Sequence, residues 1–319
     1  MKYVLSWAAA AVVLAAVMPI VWAVSGVAPA CAQTPIPPNP QIEIAYVKPA
    51  NPALASIYEQ MQSHKVLETL QVFLAPLKLP NGAKLAVKFD QCGGATSIAY
   101  QHAGPVTICY EYVAQIEQMV PRSTVTLVQG TVTPDAAVIG PVTQAALHEM
   151  ALGVFDVMNL PVWGRTDDAA DRLSAFIMVQ FGPNVAWNTI VGTAWFLSGN
   201  VTSAADFSDI RGVVAQRYYT TLCIAYGGEA RGVTLTKGTT GTTGSGLGNF
   251  VGGGAAGNLP QSRAQSCPYE YDAIKQAFVN LFVAPGHVDQ SLLGQVQKAF
   301  ACTSTETDPF RLLACAPRQ

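Results

Sequence analysis

Charge is scarce in this chain. Asp, Glu, Lys and Arg make up 12% of 319 residues, roughly half the ~25% share of ordinary soluble domains. The net charge is −2, which excludes a protein held electrostatically to nucleic acid or to an anionic membrane surface. Histidine is scarcer still, with four residues: His64, His102, His148 and His287. No two cysteines stand in the C-x-x-C spacing of a zinc knuckle or a dithiol redox site, which leaves the metal reading of the cysteines weak. The glycine-rich stretch 234–258 is not followed by G-K-[ST], so it is no phosphate-binding loop. No internal repeat is visible.

What the chain does have begins at its N-terminus. Lys2 precedes an almost unbroken apolar run from Tyr3 to Ala23, and Ala30-Cys31-Ala32 follows with A-x-A character. Residues 1–32 therefore read as a secretory signal peptide. An uncleaved anchor is the alternative, because the run approaches the ~20 residues that span a bilayer. The expected location is exported, periplasmic or secreted, with no membrane attachment beyond the signal segment. Of the seven cysteines, cleavage removes Cys31 and leaves Cys92, Cys109, Cys223, Cys267, Cys302 and Cys315. An even number in an exported chain points to disulfides. The pairing stays open; neighbours in sequence would give Cys92–Cys109, Cys223–Cys267 and Cys302–Cys315.

Residues 33–50, with TPIPPNPQ, read as a Pro-rich linker. Periodic apolar residues from Pro52 to Leu77 predict helix. Ala83–Asp90, Ser97–Tyr100 and Pro105–Tyr110 predict short strands of a small antiparallel sheet, which Cys92 and Cys109 would staple. Helices are expected over Tyr110 to Val120, Pro134 to Leu160, Thr166 to Phe181, Ala186 to Leu197, Ala204 to Tyr226, Tyr269 to Phe282 and Asp289 to Ala301. The Gly/Thr-rich insertion 234–258 lacks the apolar residues needed to order itself. The expected fold is α+β and mostly helical: one domain over 51–301, then a tail over 302–319.

The chemistry concentrates between Ala145 and Gln180. His148-Glu149 lies in an apolar helix, Pro161 and Gly164 break it, and Asp167, Asp168 and Asp171 open the next. In an H-E-x-x-H helix the two histidines, four apart, share a face and bind one zinc, while the Glu serves as general base. Here Leu152 stands where the second histidine belongs. The bland readings are a hydrogen-bonded core histidine for His148, and helix N-terminal acids favoured by the dipole with Thr166 as N-cap. Those account for Asp167 and Asp168 better than for Asp171.

Several segments together resemble a family of bacterial zinc metallopeptidases catalogued as a domain of unknown function. They are the Cys-Gly and Ile-Cys-Tyr-Glu parts of QCGGATSIAYQHAGPVTICYE, then HEMALGVFDVMNLPVWGRTDDAAD, then Arg217-Tyr218 with Cys223 and Tyr226-Gly227, and LPQSRAQSCPYEY from Leu259 to Tyr271. The resemblance implies a zincin-like helix pair with zinc as cofactor. His148 is similar to the first metal ligand, Glu149 to the general base, and Asp167 to the third ligand, with Asp168 as next choice. Asp171 is similar to an outer group that orients the imidazole. Leu152 breaks the pattern, leaving a degenerate HExxH site.

Two outcomes follow from Leu152. Zinc is held by His148, Asp167 and a substitute from elsewhere, although no other histidine has ligand spacing to His148. Alternatively the metal is lost and Leu152 packs as core, which is favoured because even losing a group outside the ligand sphere costs ~10–100-fold in affinity. Arg217, Tyr218 and Tyr219 are read as packing residues rather than an oxyanion site, and Arg263 as a structural partner of Glu270. The functional expectation is an exported metallopeptidase-like protein, hydrolysing a peptide bond with zinc-bound water if active. The alternatives are a non-catalytic binder of a peptide or envelope partner that keeps the fold, and a purely structural envelope protein.

Overall fold

Leu85–Asp90 alternates buried and half-buried side chains along its length, the pattern of a strand with one face on a core. It is the second strand, β2, of a computed structural model that describes residues 36–94, 98–120, 125–127, 130–181, 183–199, 212–233, 235 and 259–301. On one side β2 pairs in parallel with β1 (Ile42–Tyr46). On the other it pairs in parallel with β4 (Val106–Cys109). β3 (Ile98–Tyr100) runs antiparallel to β4 and closes the edge, giving the order β1-β2-β4-β3.

Two expectations are corrected here. The β3–β4 hairpin is antiparallel, but the sheet as a whole is built on three parallel strands. The segment 33–50 is not a free linker, since it contributes β1. Parallel neighbours need a helical crossover. That crossover is supplied by α1 (Ala55–Ser63) and α2 (Val66–Phe73), helices the sequence does predict. The prolines around β1 obscured its alternation. Cys92 and Cys109 form a disulfide that joins the ends of β2 and β4.

α3 (Tyr110–Met119) leads from β4 toward a small hairpin, β5 (Val125–Leu127) with β6 (Gly130–Val132). Next comes α4 (Pro134–Val157), capped by the Thr133 side chain accepting from the Ala136 amide. α4 is buried on nearly every face, because α5 (Thr166–Val179), α6 (Pro183–Ser198), α3 and the sheet surround it. A helix so enclosed must be largely apolar all round, which explains why Gln144, His148 and Glu149 are isolated polar side chains among the buried apolar ones of its middle turns. α7 (Val214–Ala230), α8 (Gln261–Ala264), α9 (Cys267–Phe278), a π-helical turn (Val279–Val283) and α10 (Gln290–Ala301) complete the helical part. Cys223 of α7 is disulfide-bonded to Cys267 of α9. Two disulfides fit an exported protein. Among the described residues no helix is long and apolar enough to cross a membrane.

α4 and α6 cross with almost no space between their backbones. A Cβ built on Gly192 would lie 1.7 Å from the Ala136 carbonyl oxygen. Gly192→Ala is therefore expected to cost at least about 1–3 kcal/mol, as overpacking against rigid backbone does, read as a lower urea midpoint at unchanged slope. A change within about 0.5 kcal/mol would contradict this crossing.

The segment 1–32, expected to be a signal peptide, the tail 302–319 with Cys302 and Cys315, and the start of the helix expected from Ala204 lie outside the described residues. So does the insertion 234–258, apart from Leu235, which is buried.

Candidate functional site

Gln144, His148 and Leu152 follow one another four residues apart on α4, so all three project from one side of the helix. Asp167 and Asp171 repeat that spacing on α5. Packing α4 on α5 brings the two rows together. Asp171 Oδ1 lies 2.8 Å from His148 Nδ1, and Asp167 Oδ1 lies 3.3 Å from His148 Nε2. Asp171 also accepts from Gln144 Nε2 at 2.9 Å, and from Arg217 of α7 through Nε at 2.8 Å and Nη2 at 3.0 Å. Four charged groups, two of each sign, thus share a buried space.

Both nitrogens of His148 face carboxylates, which favours the doubly protonated ring because only the imidazolium donates from both. Burial pulls its pKa down, but the bonds to Asp167 and Asp171 outweigh burial and raise it to about 9. Burial likewise pushes Asp171 up, while His148 and Arg217 together hold it below the ordinary carboxylate range. A histidine whose folded pKa exceeds its unfolded value stabilises the fold fully below the unfolded value of 6.5. That contribution disappears as pH rises through about 9. Unfolding free energy is therefore expected to fall by about 3 kcal/mol between pH 6.5 and pH 10, followed by denaturant titration. A flat profile through that range, which His148→Ala leaves unchanged, would refute the charged imidazole.

Beside this network lies a cleft of about 480 Å³, whose wall includes Tyr100, His102, Glu149, Leu152, Asp156 and Asp167. Glu149 Oε2 accepts from the Tyr100 amide at 2.7 Å, so the edge strand β3 is tied to α4 next to His148. Asp156, two turns after Glu149, pairs with His102 Nδ1 at 2.7 Å. It also accepts from the Tyr100 hydroxyl and, at 3.0 Å, from the Ala103 amide. The Tyr100 hydroxyl is the main cause that lowers the Asp156 pKa.

Not every residue singled out in the sequence comes to this place. Asp168 points away and is held by Arg165 through two 3.0 Å bonds near the surface. Leu152 packs against the edge of the core, as one of the two outcomes expected, and being only half-buried it also lines the cleft. Thr166 is not a capping residue, because α5 begins at Thr166 itself, with Arg165 in the cap position and no side-chain cap bond. Two residues given no site role in the sequence reading stand at the site. Arg217 bonds Asp171 instead of merely packing. His102 has no ligand spacing to His148, yet the β3–β4 turn carries it to the cleft. Only the fold brings these two near; spacing along the chain holds no sign of it. Arg263 pairs with Glu270, and Tyr218 stacks edge-on with Tyr219.

The residues present fall short of a zinc site. Two ligand atoms at ~2.0–2.1 Å from a tetrahedral ion stand about 3.3 Å apart, and the 3.3 Å between His148 Nε2 and Asp167 Oδ1 equals that. The donor set stops there. Leu152 supplies none, and among the described residues no three His, Cys, Asp or Glu side chains are grouped so as to hold an ion. Catalytic zinc takes three protein ligands.

No curated protein and no solved structure matches this chain. One family model does, DUF4344, described as "Putative metallopeptidase", and it matches residues 46–282. That span contains the whole of the His148–Asp171 network and the cleft beside it: the chain belongs to this metallopeptidase family.

Proposed function

We propose that this is an exported, peptide-binding member of the metallopeptidase family in which an internal charge network stands in the place of catalytic zinc. The observation that carries the reading is the enclosure of His148. Its Nδ1 and Nε2 both face carboxylates, Arg217 balances the second of these acids, and Leu152 supplies no ligand. Zinc would have to remove a proton from a ring whose pKa is near 9, and ligand deprotonation subtracts from affinity. The network positions α4, α5 and α7, and the cleft remains. Its wall combines the acids Asp156 and Asp167 with apolar Leu152, Phe155 and Val162. Trp163, 97% exposed, follows the wall residue Val162 directly in sequence and is an aromatic side chain that an incoming peptide can cover. A peptide segment with an apolar residue and a basic one fits this surface.

The test is metal analysis of the purified protein together with a peptide-hydrolysis assay. The expected result is zinc well below one per chain and no hydrolysis, with peptide binding weakened at least about tenfold by Trp163→Ala. The second reading, a working zinc enzyme, draws on the zinc-like 3.3 Å spacing of His148 and Asp167. About one zinc per chain, lost with activity in His148→Ala, would establish it and overturn the first.

A further inference from the structure

The opposite side of α4 faces a second cavity. Leu147, Met150 and Val154 of α4 and Leu173 of α5 form a deeply buried floor. Phe278 and Val279 of α9 and the following turn line one wall, and Leu293 and Val296 of α10 another. Its volume is about 440 Å³, within the range of ~300–1,000 Å³ that small-molecule sites occupy.

The chemistry of the lining is lopsided. Among the described residues Lys275 is the one charged residue on it, and Lys275 is exposed, so the cation lies at the rim. Asp272, one turn earlier on α9, is held by Arg231 at 2.5 Å. The polar ends of Gln180 and Tyr271, also on the wall, bond one another at 3.2 Å. The interior therefore asks for an apolar body, while the mouth offers a positive charge to an anionic head.

We infer that this cavity is a binding site for a single long-chain fatty acid, its hydrocarbon tail inside and its carboxylate at Lys275. An apolar cavity of roughly 150 Å³ holds one benzene, so about 440 Å³ scales to an acyl chain of about sixteen to eighteen carbons. A two-chain phospholipid exceeds that space. The site is separated from the His148 cleft by α4 itself and does not depend on the reading of that cleft.

Titration of the full chain with a dansylated fatty acid tests this. Saturable one-to-one binding is expected, displaced by palmitate. Lys275→Glu, a surface change compatible with folding, should weaken palmitate about tenfold and leave the corresponding fatty alcohol unaffected. Leu293→Trp, which fills the cavity, should abolish binding of both while circular dichroism stays native. No saturable binding to the full chain, as when its own tail or another segment fills the cavity, would overturn the inference. Binding that neither substitution alters would mean surface adsorption and would overturn it equally.

Discussion

Leu152→His is expected to bind zinc at least about a hundredfold more tightly than the natural chain, since restoring a direct ligand should exceed the ~10–100-fold effect of groups one shell further out. Position 152 follows His148 by four residues and lines the same cleft as Asp167. Leu152 is only half-buried, so an imidazole placed there need not be stranded in apolar surroundings. Asp171 already bonds Nδ1 of His148 and leaves Nε2 directed toward Asp167. Three donors would then converge where two do now. Binding must displace the proton on His148, so affinity in this variant should climb with pH and level off near its pKa of about 9. Isothermal titration at several pH values measures both effects. A folded Leu152→His protein with no gain in affinity would mean that the cleft has lost the geometry of its family.

Asp171→Ala is expected to destabilise the protein by about 3–5 kcal/mol, the cost of breaking a buried ion pair from one side. Asp171 accepts from Gln144, His148 and Arg217, and its side chain is 6% exposed. Its removal leaves an imidazolium and a guanidinium facing each other without their common anion. At roughly 2–4 °C per kcal/mol for a domain of this size, the melting temperature should drop by at least about 6 °C. Asp168→Ala is the control from the same helix turn. Asp168 pairs with Arg165 at the surface, and an exposed pair is worth about 0–1 kcal/mol. Equal losses for the two variants would show that the network does not hold α4, α5 and α7 together.

Part of this was legible without coordinates, and the reason is physical. α4 and α5 carry local signals: 3.6-residue periodicity, Pro161 and Gly164 between them, and acids in a first turn. The four-residue spacing of Asp167 and Asp171 contains their shared face, just as the spacing of His148 and Leu152 contains the broken motif. The sheet was harder. β1 is short, follows a run of prolines and pairs in parallel with a strand some forty residues away, so no local turn announces it. The roles of Arg217 and His102 were hidden for a similar reason. Each arrives at the site on a separate element, and its role depends on tertiary packing instead of its neighbours in sequence. Asp168 erred in the other direction, because adjacent residues on a helix point about 100° apart and the sequence does not say which one faces α4.

The most direct test of the account is the protonation of one ring. Nitrogen-15 NMR of His148, assigned by comparison with His148→Ala, should show both Nδ1 and Nε2 protonated at pH 7, titrating near pH 9. A ring with one bare nitrogen at pH 7, whether neutral with a pKa at or below 6.5 or bonded to zinc, would contradict it.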